Sequence, residues 1–455
     1  MSKDKSEDKG SHWKKKSQRQ SLEIRRLKSR NKELTASRDK WKKKCQWLKN
    51  CQGLVPKSGA LGYGSARGHQ YALWVVEYCI RMCCYGGTSL RCCREGLRCL
   101  VLVLGLELRV PSHTSIRNWQ LKLGWLRHHE GPPLSLGGSW AVIADESVAF
   151  GTERLLVVLG LDLSVWRFDR SPALSDVRVL YMGSSSEWKS PAVSAALKQA
   201  TGGLEVVQAV SDGGNNLLRA FELCSFLHVP DCSHAVANIL ERHLDKDENF
   251  KCLGVLAGQL RQCWATSQHT AWCPPQKRGK SRFLNVFALF EWAGKILRNA
   301  DKLPQAVREK TEWLFENAGF VGELCQIARI VKSLFALLKS KGACARSLEK
   351  AQQLIKGHQP DRPVGRICQD IQKYLDVLAA KSLGHDKSLL CCSDIIESLF
   401  GRFKYRAKLN QGVTDTALTI HLLNGKLDAR TLKTALESVQ LDQIKNWKIV
   451  KKNEG

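Results

Sequence analysis

The chain has 455 residues, 43% of them apolar, and carries 71 Lys and Arg against 43 Asp and Glu, a net charge of +28. The length allows two or three domains with a substantial core, and the apolar fraction suits a globular protein. The charged N-terminus lacks the apolar core of a signal peptide, and the apolar run Leu100–Leu108 is far shorter than the ~20 residues of a membrane helix, which argues against a secreted or membrane protein.

The charge surplus favours a polyanionic partner, of which nucleic acid is the commonest. The 18 cysteines then read as reduced cytosolic thiols. Cys83, Cys84, Cys92 and Cys93 lack zinc-knuckle spacing and read as core or surface thiols. Residues 1–20 read as a basic arm. A heptad seam follows over Ile24, Leu27, Asn31, Leu34, Arg38, Trp41, Cys45 and Leu48, with polar Asn31 able to fix register, so a short coiled coil and a homodimer are expected. The alternative is a solitary amphipathic helix. Residues 51–69 read as a linker.

Residues 70–130 read as a small helical module. Helices are expected over Tyr71–Cys84, Ser89–Leu104 and His113–Leu123, the last capped by Ser112. The arrangement suggests a helix-turn-helix, with Arg117, Asn118 and Gln120 able to read base edges. Generic three-helix packing is the rival reading.

Past a Gly/Pro linker the periodicity becomes strand-like. Strands are expected over Trp140–Asp145, Arg154–Leu163 and Val177–Gly183, forming an antiparallel meander. A helix over Ser190–Thr201 follows, with Ser190 as cap, then a strand over Glu205–Ser211, a helix over Asn215–Cys224 and a short strand over Phe226–Pro230. Right-handed crossovers place the first and fourth strands side by side and parallel. Asp145 and Asp212 each stand at the end of such a strand. Residues 235–385 read as helical, interrupted by a basic loop, Lys277, Arg278, Lys280 and Arg282, suited to phosphates. A helix near Cys392–Ala407 carries Glu397, with Lys404 two turns on along the same face. Helices over Thr414–Leu423 and Ala429–Val439 and a basic tail close the chain.

Three carboxylates on a basic chain suit two-metal phosphoryl transfer. Two Mg²⁺ ions about 3.5–4 Å apart activate the attacking oxygen and stabilise the leaving one, and Mg²⁺ takes hard oxygen ligands. Asp145 would lie between the ions, with Asp212 and Glu397 on either side. Glu146 faces the other side of the strand, and Asp394 reads as a helix-start charge.

The segments A-D-E-S at Asp145, S-D-G-G at Asp212 and D-I-I-E-S-L-F-G-R-F-K at Glu397 resemble the three acidic motifs of DDE transposases of bacterial-type insertion sequences. Asp231-Cys232-Ser233-His234 is similar to the C/D-x-x-H motif many of them carry. Leu390 and Ser393 stand at spacings where some of these families carry Tyr and Arg.

The resemblance spans about residues 139–410 and implies an α/β fold: a ribonuclease-H-like mixed-sheet core with a large all-helical insertion. It implies catalysis and metal binding by Asp145, Asp212 and Glu397, support from Asp231 and His234, and DNA contacts from Lys404 and Arg402. Mg²⁺ or Mn²⁺ would be the cofactor and double-stranded DNA, as element ends and target, the partner. A cytoplasmic, nucleoid-associated transposase is expected. The rivals are a structure-specific nuclease of the same fold and an inactive DNA-binding regulator.

Overall fold

A computed structural model describes residues 64–130, 138–150, 153–276, 282–385, 387–406, 413–423 and 427–445, with scattered positions of a helix between 24 and 42. The chain divides into two compact units: Met1–Gly62 with Gln262–Cys273, and Tyr63–Arg261 with Pro274–Gly455. In the first unit the seam residues Ile24, Leu27, Asn31, Leu34, Arg38 and Trp41 are helical, and Ile24, Leu27 and Leu34 are exposed. Cys45 and Leu48 lie outside the described residues, as do Lys277, Arg278 and Lys280 of the basic loop. Arg282 opens a short 3-10 turn.

The second unit starts with α1 (Leu73–Cys84), α2 (Leu90–Leu104) and α3 (His113–His129). Ser89 and Ser112 cap α2 and α3, accepting hydrogen bonds from the Cys92 and Ser115 N–H groups. Cys83, Cys84 and Cys93 are buried and Cys92 is exposed. Helix α3 outruns its expected end at Leu123 because its far turns pack on the C-terminal part of the chain.

The sheet follows as β1 (Ser139–Phe150), β2 (Glu153–Asp162), β3 (Val177–Ser185), α4 (Ser190–Thr201), β4 (Glu205–Ser211), α5 (Asn215–Leu223) and β5 (His228–Pro230). Lys189, not Ser190, occupies the cap position of α4. The five strands form one mixed sheet in the order β3-β2-β1-β4-β5. β1 pairs antiparallel with β2, and β2 with β3, whereas β1–β4 and β4–β5 are parallel. The expected parallel neighbours are therefore adjacent. β1 does not stop at Asp145, because its antiparallel pairing with β2 carries the strand past the end of the parallel ladder.

One face of the sheet is covered by α4 and α5. Val142, Ala144, Leu156 and Val158 there meet Val193, Leu197, Leu217 and Phe221, all essentially solvent-free. Side chains alternate along a strand, so Glu146 shares this face with Val142 and Ala144, and Asp145 projects to the other with Ala141 and Ile143.

After β5 come α6 (Cys232–Leu244), α7 (Glu248–Trp264), α8 (Phe287–Arg298), α9 (Gln305–Lys310), α10 (Glu312–Glu316), α11 (Ala318–Lys341), α12 (Ala345–Ile355) and α13 (Pro363–Ser382), then α14 (Asp394–Arg406). Within the stretch that reads as helical, α9 and α10 are separated at Thr311, whose hydroxyl donates back to the Val307 carbonyl. A 3-10 segment over Asp415–Leu422 replaces the expected α-helix, and α15 (Ala429–Ser438) follows. No described helix is long and apolar enough to cross a membrane.

The Asp415–Leu422 segment and α15 lie against α3. A Cβ on Gly124 would stand 2.4 Å from the Leu418 carbonyl oxygen. Gly124→Ala, which would favour an isolated helix by about 1 kcal/mol, is therefore expected to destabilise the protein by about 1–3 kcal/mol, read as a lowered urea midpoint. An unchanged or raised midpoint would contradict this packing.

Candidate active site

The last registered pair of the parallel β1–β4 ladder sets Ile143 opposite Val210. Asp145 and Asp212 each lie two residues further along their adjacent strands, so the sheet itself brings them together. Asp212 follows the end of β4 in a turn that its own carboxylate braces: Oδ1 accepts the Gly214 N–H at 3.0 Å. Gly213, at φ +92°, makes the turn in a conformation open only to glycine at low cost.

Glu397 reaches the site by a longer route. The segment before α14 is stitched to the core residue by residue. Leu389 exchanges two backbone hydrogen bonds with Ala343, at 2.7 and 2.8 Å. The Leu390 N–H donates to Oε1 of buried Gln208 on β4 at 3.1 Å, and the Cys391 carbonyl accepts the Cys232 N–H at 2.9 Å. The Ser393 N–H and hydroxyl both donate to Asp231 Oδ2, at 2.6 and 3.0 Å. Helix α14 starts at the next residue and packs beside β1 through a stripe that includes buried Ile396, Leu399, Phe400 and Phe403. Asp394 and Glu397 occupy its first turn, where the helix dipole favours acids.

Asp231 serves two helices at once. Its Oδ1 accepts the His234 N–H at 2.8 Å, capping α6, and contacts His234 Nδ1 at 3.0 Å. Burial works against its charge, but the hydrogen bonds from His234 and Ser393 hold its pKa below the usual carboxylate value. The other ring nitrogen of His234, Nε2, lies 3.4 Å from Glu397 Oε1. The hydrogen bond to Asp231, helped by the charges of Asp231, Glu397 and Asp212, raises the His234 pKa to about 9, so the ring is cationic at neutral pH.

Burial, reinforced by the charges of Asp212 and Glu397, pushes the Asp145 carboxyl up to about 7. Burial likewise raises Glu397, with His234 opposing it. The structure thus brings the expected Asp145, Asp212, Glu397 and His234 into one electrostatic neighbourhood, with Asp231 beneath. Glu146 lies on the other sheet face, 3.6 Å from the Arg154 guanidinium, and burial, with the Asp212 charge adding to it, raises its carboxyl.

Asp231, Cys392 and Asp394 hold ligand atoms within 4.8 Å of one another, a spacing that could hold a metal ion. As folded, these groups are otherwise engaged. Both Asp231 oxygens accept hydrogen bonds. Asp394 accepts from the Ser233 hydroxyl at 3.1 Å and pairs with Lys339 of α11. The Cys392 thiol is held protonated by its hydrogen bond to Cys232 and by burial. The expected triad stands wider than 4.8 Å. His234 stands next to Glu397, its Nε2 3.4 Å from Oε1. The donor type of Asp145, Asp212 and Glu397 suits a hard dication: three carboxylates share one neighbourhood, in which Asp212 and Glu397 help to raise Asp145.

Lys404 and Arg402 are exposed on α14, the Lys404 ammonium standing 5.7 Å from the centre of the Phe400 ring. The expected base-reading residues of α3 are placed otherwise. Arg117 is bound to Asp415 at 2.6 Å, Gln120 is buried and Asn118 is partly covered. The C-terminal elements pack against this helix and engage part of its polar face. The roles of Ser393 and Lys339 were not expected. A serine just before an acidic first turn signals a helix start, but nothing local names its distant partner.

Comparison with protein-family models and with curated proteins finds no match for this chain.

The charged form of Asp145 is the one burial penalises. The group costs no stability below pH 3.8, where it is protonated folded and unfolded, and its cost grows as pH rises to about 7. His234, raised from 6.5 to about 9, contributes stability that is complete below pH 6.5 and lost by about 9. In urea unfolding at stepped pH, Asp145→Asn is expected to reduce the decline between pH 4 and 7 by a few kcal/mol, leaving the smaller part due to Glu397 and Glu146, and to keep the decline toward pH 9. Parallel curves for the variant and the wild type would show that Asp145 is not strained.

Proposed function

We propose that the protein is a metal-dependent DNA strand transferase of the DDE transposase type, built on a ribonuclease-H-like core. The observation that carries this reading is the convergence of Asp145, Asp212 and Glu397 beside the ends of two parallel strands, with Asp145 raised to about 7 by burial and its neighbours. The strand order, three antiparallel strands continued by two parallel ones, supports the core assignment. The net charge of +28 supports a nucleic-acid partner.

Asp145, Asp212 and Glu397 would hold Mg²⁺ or Mn²⁺, which when bound would activate the attacking oxygen and stabilise the leaving one. The chain's own groups set the stage. Sheet register holds Asp145 against Asp212, and the Asp231–Ser393 hydrogen bonds hold the start of α14, and with it Glu397, at the same end of the sheet. His234, cationic between Asp231 and Glu397, favours the ionised form of Glu397 against burial and sets a ring nitrogen 3.4 Å from its carboxylate. Lys404 and Arg402, on the same helix beyond Glu397, offer cations to a phosphodiester backbone. The reaction would be hydrolysis at an element end, followed by attack of the freed 3′-hydroxyl on target DNA.

The test is cleavage and joining of terminal-repeat duplexes with Mg²⁺. Asp145→Asn is expected to lower both steps by about 100-fold or more, whereas Glu146→Gln, on the opposite sheet face, leaves them within a few-fold. Equal loss in the two variants, or no loss in the first, would overturn the site. Cleavage without joining would make the protein a nuclease of the same fold.

A further inference from the structure

The packing against α3 leaves the basic charge of the helical module on a different helix. Helix α2 buries Cys93 and Leu97. Successive residues turn by about 100° around an α-helix, so Arg91, Arg94 and Arg98 fall within an arc of about 60° on one flank of that buried line. All three are exposed. From Arg91 to Arg98 the helix rises about 10 Å, which spaces three guanidinium groups along two turns. The one acid among them, Glu95, lies 3.8 Å from both Arg94 and Arg98, at a separation where an exposed pair contributes little. Arg91 makes no ion pair among the described residues.

We propose that this stripe of α2, and not α3, is the surface by which the helical module docks on duplex DNA, with Arg91, Arg94 and Arg98 seated on the phosphate backbone. Charge complementarity selects the occupant: a rigid row of guanidinium groups, each able to form paired hydrogen bonds to phosphate oxygens, on a chain of net charge +28. Ser89 caps the helix, and the buried Cys93–Leu97 line anchors it, so the row is preformed. The proposal rests on the nucleic-acid part of the reading above and not on the chemistry at Asp145.

The experiment measures binding of the full chain to a labelled 30-bp duplex (~30 bp spans several phosphate contacts) by fluorescence anisotropy over a range of salt. R91A/R94A/R98A is expected to weaken binding by about tenfold or more near 0.1 M salt and to shrink the slope of log K against log salt by about 2–3. R91K/R94K/R98K keeps the charge and is expected to retain most of the slope. K198A/K246A/K302A loses the same charge from exposed positions elsewhere and is expected to change neither quantity as much. Binding is measured without added divalent metal, so failure of the cleavage reading and failure of the docking surface are told apart. If the arginine-to-alanine variant, folded by its wild-type thermal midpoint, binds duplex DNA no differently from the lysine control, the proposal is wrong. It is also wrong if wild type prefers duplex RNA to duplex DNA.

Discussion

The carboxylate of Asp231 is the constraint on which the site depends. It is 1% exposed and receives hydrogen bonds from the start of α6 on one oxygen and from Ser393 on the other. A buried charge of this kind is tolerable only when fully satisfied. Satisfying it fixes two helix starts relative to the tip of β5. His234 rides on one and Glu397 four residues into the other, so their 3.4 Å approach is inherited from Asp231 rather than made by themselves. The sheet supplies Asp145 and Asp212 by register alone, without any such device.

The two ways of placing acids leave an uneven distribution of charge. Asp145 carries the burden of the convergence, held near 7 on the more enclosed strand, while Asp212 is exposed beyond the end of β4. Glu397 is relieved by a cationic histidine, and Asp394 by Lys339, whose ammonium also lies 4.7 Å from the centre of the Phe335 ring. The acids that are neutralised locally are those on α14. The acid that retains a proton most readily is the one the sheet surrounds.

Much of this was readable from pattern. The apolar, β-branched run Trp140–Asp145 and the later strand Glu205–Ser211 predict adjacent parallel strands, because buried strands and crossover handedness leave few alternatives. Spacing along the late amphipathic helix placed Glu397 and Lys404 on one side. What pattern does not carry is the partner of a polar group. Ser393 and Asp231, Leu390 and Gln208, Lys339 and Asp394 are linked across the fold by single hydrogen bonds or ion pairs, which no local periodicity encodes. The same limit applies to the helical module. His113–His129 has the polar residues of an exposed helix, but Arg117 and Lys122 spend their donors on Asp415 and the Leu436 carbonyl, partners that arrive some three hundred residues later.

The distance between Asp231 and Ser393 along the chain has a consequence for the order of assembly. They are 162 residues apart, and closing a loop of that length costs about 4–5 kcal/mol of chain entropy, a cost that falls once the intervening helices have gathered. A growing chain can complete β1 to β5 with Asp145 and Asp212 in place and still lack Glu397. Competence of the carboxylate set is thereby tied to the last third of the molecule having folded, and an incompletely made chain presents two acids rather than three.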